Sequence, residues 1–286
     1  MISIILAYGL RLIAITGRFS IGHAGFMAVG AYTSSLLALK LDISPWFGLL
    51  AGGTVTAILA LALGSVVLRI SGIYFSILTM GMAQVVIAIV VWAAPWTGGW
   101  GGLVGIPGFS IAGYDFGISK APYNYLILAI TLLAVGTMYR IEKSRAGLAF
   151  QAMSQNNELA QHVGMNVNSY RILAFTVACF FAGVAGSFYV HYLHAIDPAD
   201  FGVMRSFEIL LYTVVGGVAN PIGPALGTVF LVSAPEALRF VREYRDLSYG
   251  SILVIVVLFV PGGLVELPRR LLHFQSGIRA RFIGTT

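Results

Sequence analysis

Few residues in this chain have the type and spacing to do chemistry. His191 and His194 stand three apart and are followed by Asp197 and Asp200, a grouping that allows either a metal site or an interfacial polar loop. The polar loop is the preferred reading. His23 lies between Gly22 and Gly25 at the start of an apolar run, suited to gating or polar contact. The alternative is a hydrogen-bonded histidine near the cytoplasmic end of a span. Arg11 sits inside Leu10-Arg11-Leu12-Ile13, where a cation in lipid costs several kcal/mol unless it pairs or snorkels. An acid such as Glu208 is a candidate partner. The reading preferred here shifts the span so that Arg11 reaches the interface. The lone cysteine, Cys179, forms no internal disulfide and suits packing. No G-x-x-x-x-G-K-[ST] phosphate loop occurs, and a membrane-embedded enzyme would need acids or histidines clustered at metal or acid/base spacing, for which the 191–200 group is the candidate. No cofactor or metal is expected on this chain.

The elements that must position these residues are apolar. Of 286 residues 58% are hydrophobic and 10% charged, and the mean hydropathy is +0.89. A soluble domain carries about 25% charged residues. Runs long enough to cross a bilayer need roughly 20 apolar residues, and there are too many here for a signal peptide. The expected fold is all-α, a polytopic transmembrane helical bundle of about eight or nine spans, treated as one transmembrane domain over 1–286. The spans fall near 2–17, 20–39, 46–68, 73–92, 124–140, 172–190, 206–218, 225–238 and 250–266. Helices are required because lipid leaves backbone groups no other partner. The pair 206–218 and 225–238 reads as two tilted spans or as a re-entrant pair. The chain opens almost directly into a span at Ile2, so either a leading helix is lacking or the start lies further upstream.

Between the fifth and sixth spans lies a polar island, 140–171. Ser144 is positioned to cap a first short helix and Asn156 or Asn157 a second, with Glu158 in its first turn and Gly164 at its left-handed end. Leu148 with Ala152, and Leu159 with Val163, repeat at four-residue spacing and form one apolar stripe per helix. Isolated short helices are marginal in water, so the island needs burial from a partner or from its own membrane domain. Placing it in the cytoplasm puts ten Lys and Arg inside (Arg18, Arg69, Arg140, Lys143, Arg145, Arg171, Arg269, Arg270, Arg279, Arg281) against six outside (Lys40, Lys120, Arg205, Arg239, Arg242, Arg245). That balance favours this orientation and leaves 268–286 as a basic cytoplasmic tail. The net charge of +6 therefore reads as an orientation signal, and no nucleic-acid partner is expected.

Two glycine-rich breaks interrupt the spans. Ser20-Ile21-Gly22-His23-Ala24-Gly25 opens the second, and Gly216-Gly217-Val218-Ala219-Asn220-Pro221-Ile222-Gly223-Pro224 separates the seventh and eighth. Broken helices at depth are where transporters place substrate paths, which makes Gly22, His23, Gly25, Gly216, Gly217, Asn220 and Pro221 candidates for the pathway. The external loop from Thr97 to Pro107, with Trp92, Trp96 and Trp100 nearby, suits an interfacial belt. Contact with an external partner is the other reading.

Glu158-Leu159-Ala160-x-x-x-Gly164 resembles the EAA-type loop of ATP-binding-cassette (ABC) importer permeases, with Leu159 where that loop often has alanine. In order along the chain, SIGHAGFMAVGAY at 20–32, SGIYFSILTMGMAQ at 71–84, TGGWGGLVGIPG at 97–108, SRAGLAFQAMSQNNELAQHVGMNV at 144–167, AFTVACFFAGVAGSFY at 174–189 and GGVANPIGPALGTVFLVSAPEALR at 216–239 are similar to the permeases of branched-chain (hydrophobic) amino acid ABC importers. The IYF-containing span resembles the second of the two paired permeases. The resemblance implies an inner-membrane, multi-pass transport subunit that is not an enzyme. It implies a sibling permease, two cytoplasmic ATP-binding subunits that hydrolyse ATP, an external solute-binding protein, and alternating access within surrounding lipid. Glu158, Leu159, Ala160, Gly164, Leu148 and Val163 would form the ATPase-coupling loop. The chain departs from the pattern at Ser154-Gln155-Asn156-Asn157, where charge is usual, at Ala219-Asn220-Pro221, where the turn is usually richer in glycine and serine, and at Arg11 and Arg18. Urea and short-amide importers share this permease type and give an alternative solute. An ATP-independent secondary transporter or channel predicts inverted repeats and intramembrane acids, whereas here no clear repeat stands out and most acids fall in loops.

Overall fold

A computed structural model describes residues 1–111, 114–115, 120–237 and 263–266. The expected span 250–266 and the basic tail therefore lie outside the described residues, except 263–266, where Leu264–Glu266 forms a 3-10 turn. The fold is all-α and polytopic, with helices α1 (Ile2–Ala14), α2 (His23–Leu41), α3 (Pro45–Val67), α4 (Ile73–Trp92), α5 (Ala94–Thr97), α6 (Lys120–Lys143), α7 (Arg145–Gln155), α8 (Asn157–His162), α9 (Val167–Leu193), α10 (Val203–Gly216) and α11 (Gly223–Ala237). Five of the described helices, α2, α3, α4, α6 and α9, are long and apolar enough to cross a membrane. The α1 segment, expected over 2–17, stops at Ala14 because its last turn tightens: the Thr16 amide and hydroxyl both donate to the Ile13 carbonyl, at 3.0 and 2.7 Å. Its 13 residues rise about 20 Å, short of a hydrocarbon core of about 30 Å. The chain divides into two compact units, Met1–Leu210 and one beginning at Leu211, with the division falling inside α10.

The first unit is centred on α2, α3 and α9, which pack most extensively. Helices gain nothing from leaving lipid for one another's apolar surface, so small residues that admit close backbone contact must hold them together. That is the arrangement here. A Cβ on Gly30 would collide with the Gly183 backbone, and one on Gly52 would stand 2.7 Å from the Gly30 carbonyl oxygen. The Ser187 hydroxyl, also inside this contact, donates to Gly30 O at 3.2 Å. Around the seam the apolar core closes with Phe26 edge-on to Phe175 at 5.3 Å and with buried Ile5, Leu6, Leu10 and Cys179.

The connection after α4 is folded onto this unit. Strand β1 (Leu103–Val104) pairs antiparallel with β4 (Ala195–Ile196), just after α9, while β2 (Ser110–Ile111) pairs with β3 (Tyr114–Asp115). Phe109 is buried against Phe188 with ring centroids 4.8 Å apart, and Trp46 Nε1 donates to Ser110 O at 3.0 Å. These pairings are not visible in the glycine-rich string itself. Trp92, Trp96 and Trp100 stay exposed.

In the second unit, the end of α10 and α11 form a tight hairpin. A Cβ on Gly216 or Gly227 would strike backbone of the facing helix, so both glycines are needed for the approach. Gly217, at φ +103°, turns the chain in a conformation that only glycine adopts readily. Asn220 Oδ1 then accepts the Ile222 amide at 3.0 Å.

Candidate functional site

The island folds as two short helices whose ends are set by local chemistry. Ser144 is the single residue between α6 and α7. Its hydroxyl donates to Ile141 O at 2.6 Å and accepts the Ala146 amide at 3.2 Å, closing one helix and opening the next. Asn156, rather than Asn157, caps α8 by accepting the Leu159 amide at 3.0 Å. Gly164 follows at φ +84°, the left-handed position expected. Asn166 caps α9 by accepting from the Ser169 amide at 3.2 Å. Each cap satisfies an otherwise orphaned backbone group.

Packing then separates the two faces of the island. Phe150, Met153 and Ala160 are buried in the core of the first unit, and Phe150 meets Tyr170 edge-on. Asn157 accepts from Arg171 Nη2 at 3.0 Å. The island thus obtains part of its burial from its own membrane domain. Leu148, Leu159 and Val163 remain 67%, 60% and 74% exposed on the outside, and Glu158 is exposed beside them. Of the residues predicted for coupling, Ala160 faces inward, Gly164 terminates α8, and the other four present an apolar surface edged by one carboxylate.

The first break is buried. Gly22 and Gly25 let the start of α2 meet α4, since a Cβ on Gly22 would strike the Thr79 carbonyl and one on Gly25 would lie 2.6 Å from Ala83 Cα. Thr79 Oγ1 accepts the Ile21 amide at 3.1 Å, and Ser206 Oγ accepts the Ala24 amide at 3.2 Å. His23 is fully buried, and among the described residues neither of its ring nitrogens has a hydrogen-bond partner. Its Nε2 faces Gly9 of α1, where a Cβ would stand 3.0 Å away. Gly216, Gly217, Asn220 and Pro221 all fall in or beside the α10–α11 hairpin of the second unit. In the linker before α2, Arg18 is buried: its Nη1 donates to Ile70 O and its guanidinium lies over the Phe75 ring. Burial, and secondarily the charge of Arg171, lower its pKa to about 10.

One expectation is corrected. Arg11 neither snorkels nor pairs with Glu208. It is buried and forms a two-pronged bridge to Glu142 in the last turn of α6, Nη1 to Oε2 at 2.5 Å and Nη2 to Oε1 at 2.8 Å. Glu208 instead accepts from Arg205 at 2.8 Å, one turn away on α10. Depth could have found the partner: Arg11 is in the last turn of α1, so its acid had to lie at the same end of the bundle. His191 and His194 bond to the loop that follows α4. His191 Nδ1 lies 2.6 Å from Pro107 O and Nε2 2.7 Å from Ser34 Oγ. A carbonyl only accepts, so Nδ1 carries the proton and, in the neutral ring, Nε2 accepts from the Ser34 hydroxyl. His194 Nδ1 donates to Ile106 O at 2.9 Å. Among the described residues no group of three His, Cys, Asp or Glu could hold a metal ion.

Five span-length apolar helices with a capped, partly apolar loop beside them define a multi-pass membrane protein. The chain belongs to the branched-chain amino acid transport system permease component family, whose model matches residues 1–260, and that family implies a permease role in an ABC importer. It is 29% identical to the high-affinity branched-chain amino acid transport system permease protein LivM of Salmonella typhimurium, over 97% of this chain and 71% of that protein. Identity to LivM of Escherichia coli K12 is 28% over the same shares. The probable branched-chain amino acid transport permease protein LivH of Methanocaldococcus jannaschii is 24% identical over 87% of this chain and 79% of its own length. No solved structure matches.

Proposed function

We propose that this chain is the LivM-like member of a permease pair in the inner membrane, with its island and C-terminus in the cytoplasm, and that it imports branched-chain or other hydrophobic amino acids. It works by alternating access and carries out no catalysis of its own. Two cytoplasmic ATP-binding subunits dock on α7 and α8 and supply the energy, a sibling permease completes the membrane assembly, and an external binding protein delivers the solute. The broken start of α2 and the α10–α11 hairpin handle the solute. The observation that carries this reading is the outer face of the island. Leu148, Leu159 and Val163 stay exposed although both helices are already capped and packed inside, so this apolar surface is free to bind another protein.

The test is co-purification with the ATP-binding subunit together with uptake of labelled leucine, with urea as the competing solute. Glu158→Lys combined with Leu159→Asp places opposite charge and a desolvation cost at the exposed centre without touching the core. Assembly and leucine uptake are expected to be lost while the chain stays folded. Retention of both in the double variant would remove the docking role, and uptake of urea in place of leucine would reassign the solute.

A further inference from the structure

The Arg11–Glu142 bridge is the least explained feature of the first unit. Both side chains are buried, at 1% and 8% exposure, and the Tyr8 ring covers the guanidinium at 5.7 Å. Stability alone is a poor account of it. Removing two charges from water costs several kcal/mol per ion, and well-packed apolar residues in their place are often neutral or better. What the bridge adds is direction, because two parallel hydrogen bonds from a planar guanidinium fix both the distance and the plane of the carboxylate.

The position of each partner gives that direction a use. Glu142 lies two residues before Ser144, which closes α6 and opens α7. The α7 backbone rests on the same spot, since a Cβ on Gly147 would collide with the Glu142 carbonyl. The elbow carrying the island is therefore gripped at Glu142 from two sides. At the other end, Arg11 is two residues from Gly9, about 200° around a helix of 3.6 residues per turn. One side of α1 thus holds the elbow and the other holds His23, whose Nε2 sits against Gly9.

We propose that the Arg11–Glu142 bridge is a strut that transmits displacement of the α6–α7 elbow to α1 and, through Gly9, to the buried break at His23. The inference rests on the reading of the island as an ATPase dock. Arg11 and Glu142 are positioning residues: they touch no solute and act through the helices they join.

The test uses the full chain carrying Arg11→Met with Glu142→Met, which removes the charges but keeps apolar volume, and Glu142→Gln as a second, nearly isosteric variant. Reconstituted with its partner subunits, each is expected to sustain ATP hydrolysis while solute moved per ATP falls by about twofold to thirtyfold, the range for residues that carry coupling. Charge reversal, Arg11→Glu with Glu142→Arg, is expected to recover part of the loss. A readout without partners is the distance between nitroxides at Gln151→Cys on α7 and Ser65→Cys on α3. Both positions are exposed, and the native Cys179 is buried. A narrow distribution should broaden in both variants. Wild-type uptake per ATP, or an unchanged narrow distribution, overturns the strut. If the unmodified assembly shows no ATP-linked uptake, the functional reading fails while the distance measurement still decides the strut.

Discussion

At the scale of single residues, the chain relies on what is missing from its side chains. Gly30, Gly52 and Gly183 bring three backbones into contact where any Cβ would overlap a neighbour. Gly183→Leu is expected to abolish folded protein, because four added heavy atoms cannot be absorbed by backbone on the facing helix. Size-exclusion profiles in detergent would reveal this, and a monodisperse variant would show that the seam yields. Small residues along a span suggest such a seam in the sequence, yet their partners are far away in the chain. The same distance hides Glu142 from Arg11, 131 residues apart. Charge in lipid announces that a partner exists, and only the fold says which.

The elements divide by how local their determinants are. Helix α4 falls where its apolar run begins and ends, Ile73–Trp92, and the island's two helices are legible because Ser144, Asn156 and Gly164 act within three residues of themselves. The loop after α4 is opaque for the opposite reason. Its order comes from His191 and His194 reaching back 84 and 88 residues to the Pro107 and Ile106 carbonyls and from β1 pairing with β4. His191→Leu is expected to leave Ser34 and Pro107 O without their partner, at a cost of about 1–3 kcal/mol for each buried polar group left unpaired. The loop from Thr97 to Phe109 should then become cleavable by external protease at concentrations that spare the parent chain. Equal resistance would mean that β1–β4 pairing and Phe109 suffice.

For the whole molecule, composition alone separates a lipid-embedded chain from a soluble one, and five described helices have span length. Composition does not show that α1 and α10 are short. The end of α1 is set by a tightened turn and that of α10 by a glycine hairpin, rather than by a change in hydropathy. Orientation rests on ten Lys and Arg against six, and it is testable from either side of the membrane. A cysteine at Gln151 should react with an impermeant maleimide only after the cytoplasmic face is opened, and one at Trp100 should react in intact cells. Both native side chains are exposed. The reverse pattern would invert the molecule and remove α7 and α8 from the compartment that holds ATP.

One further property follows from α9. Its 27 residues rise about 40 Å, but the first five, Val167–Arg171, belong to the polar island. The apolar remainder from Ile172 rises about 33 Å, close to the roughly 30 Å of a bilayer core, and a bilayer of another thickness has to be met by leaning or by deforming the lipid. Because α9 is joined to α2 and α3 at backbone contact, it cannot lean alone. A bilayer thicker or thinner than this apolar length would have to tilt the three helices together, as one slab, rather than one at a time.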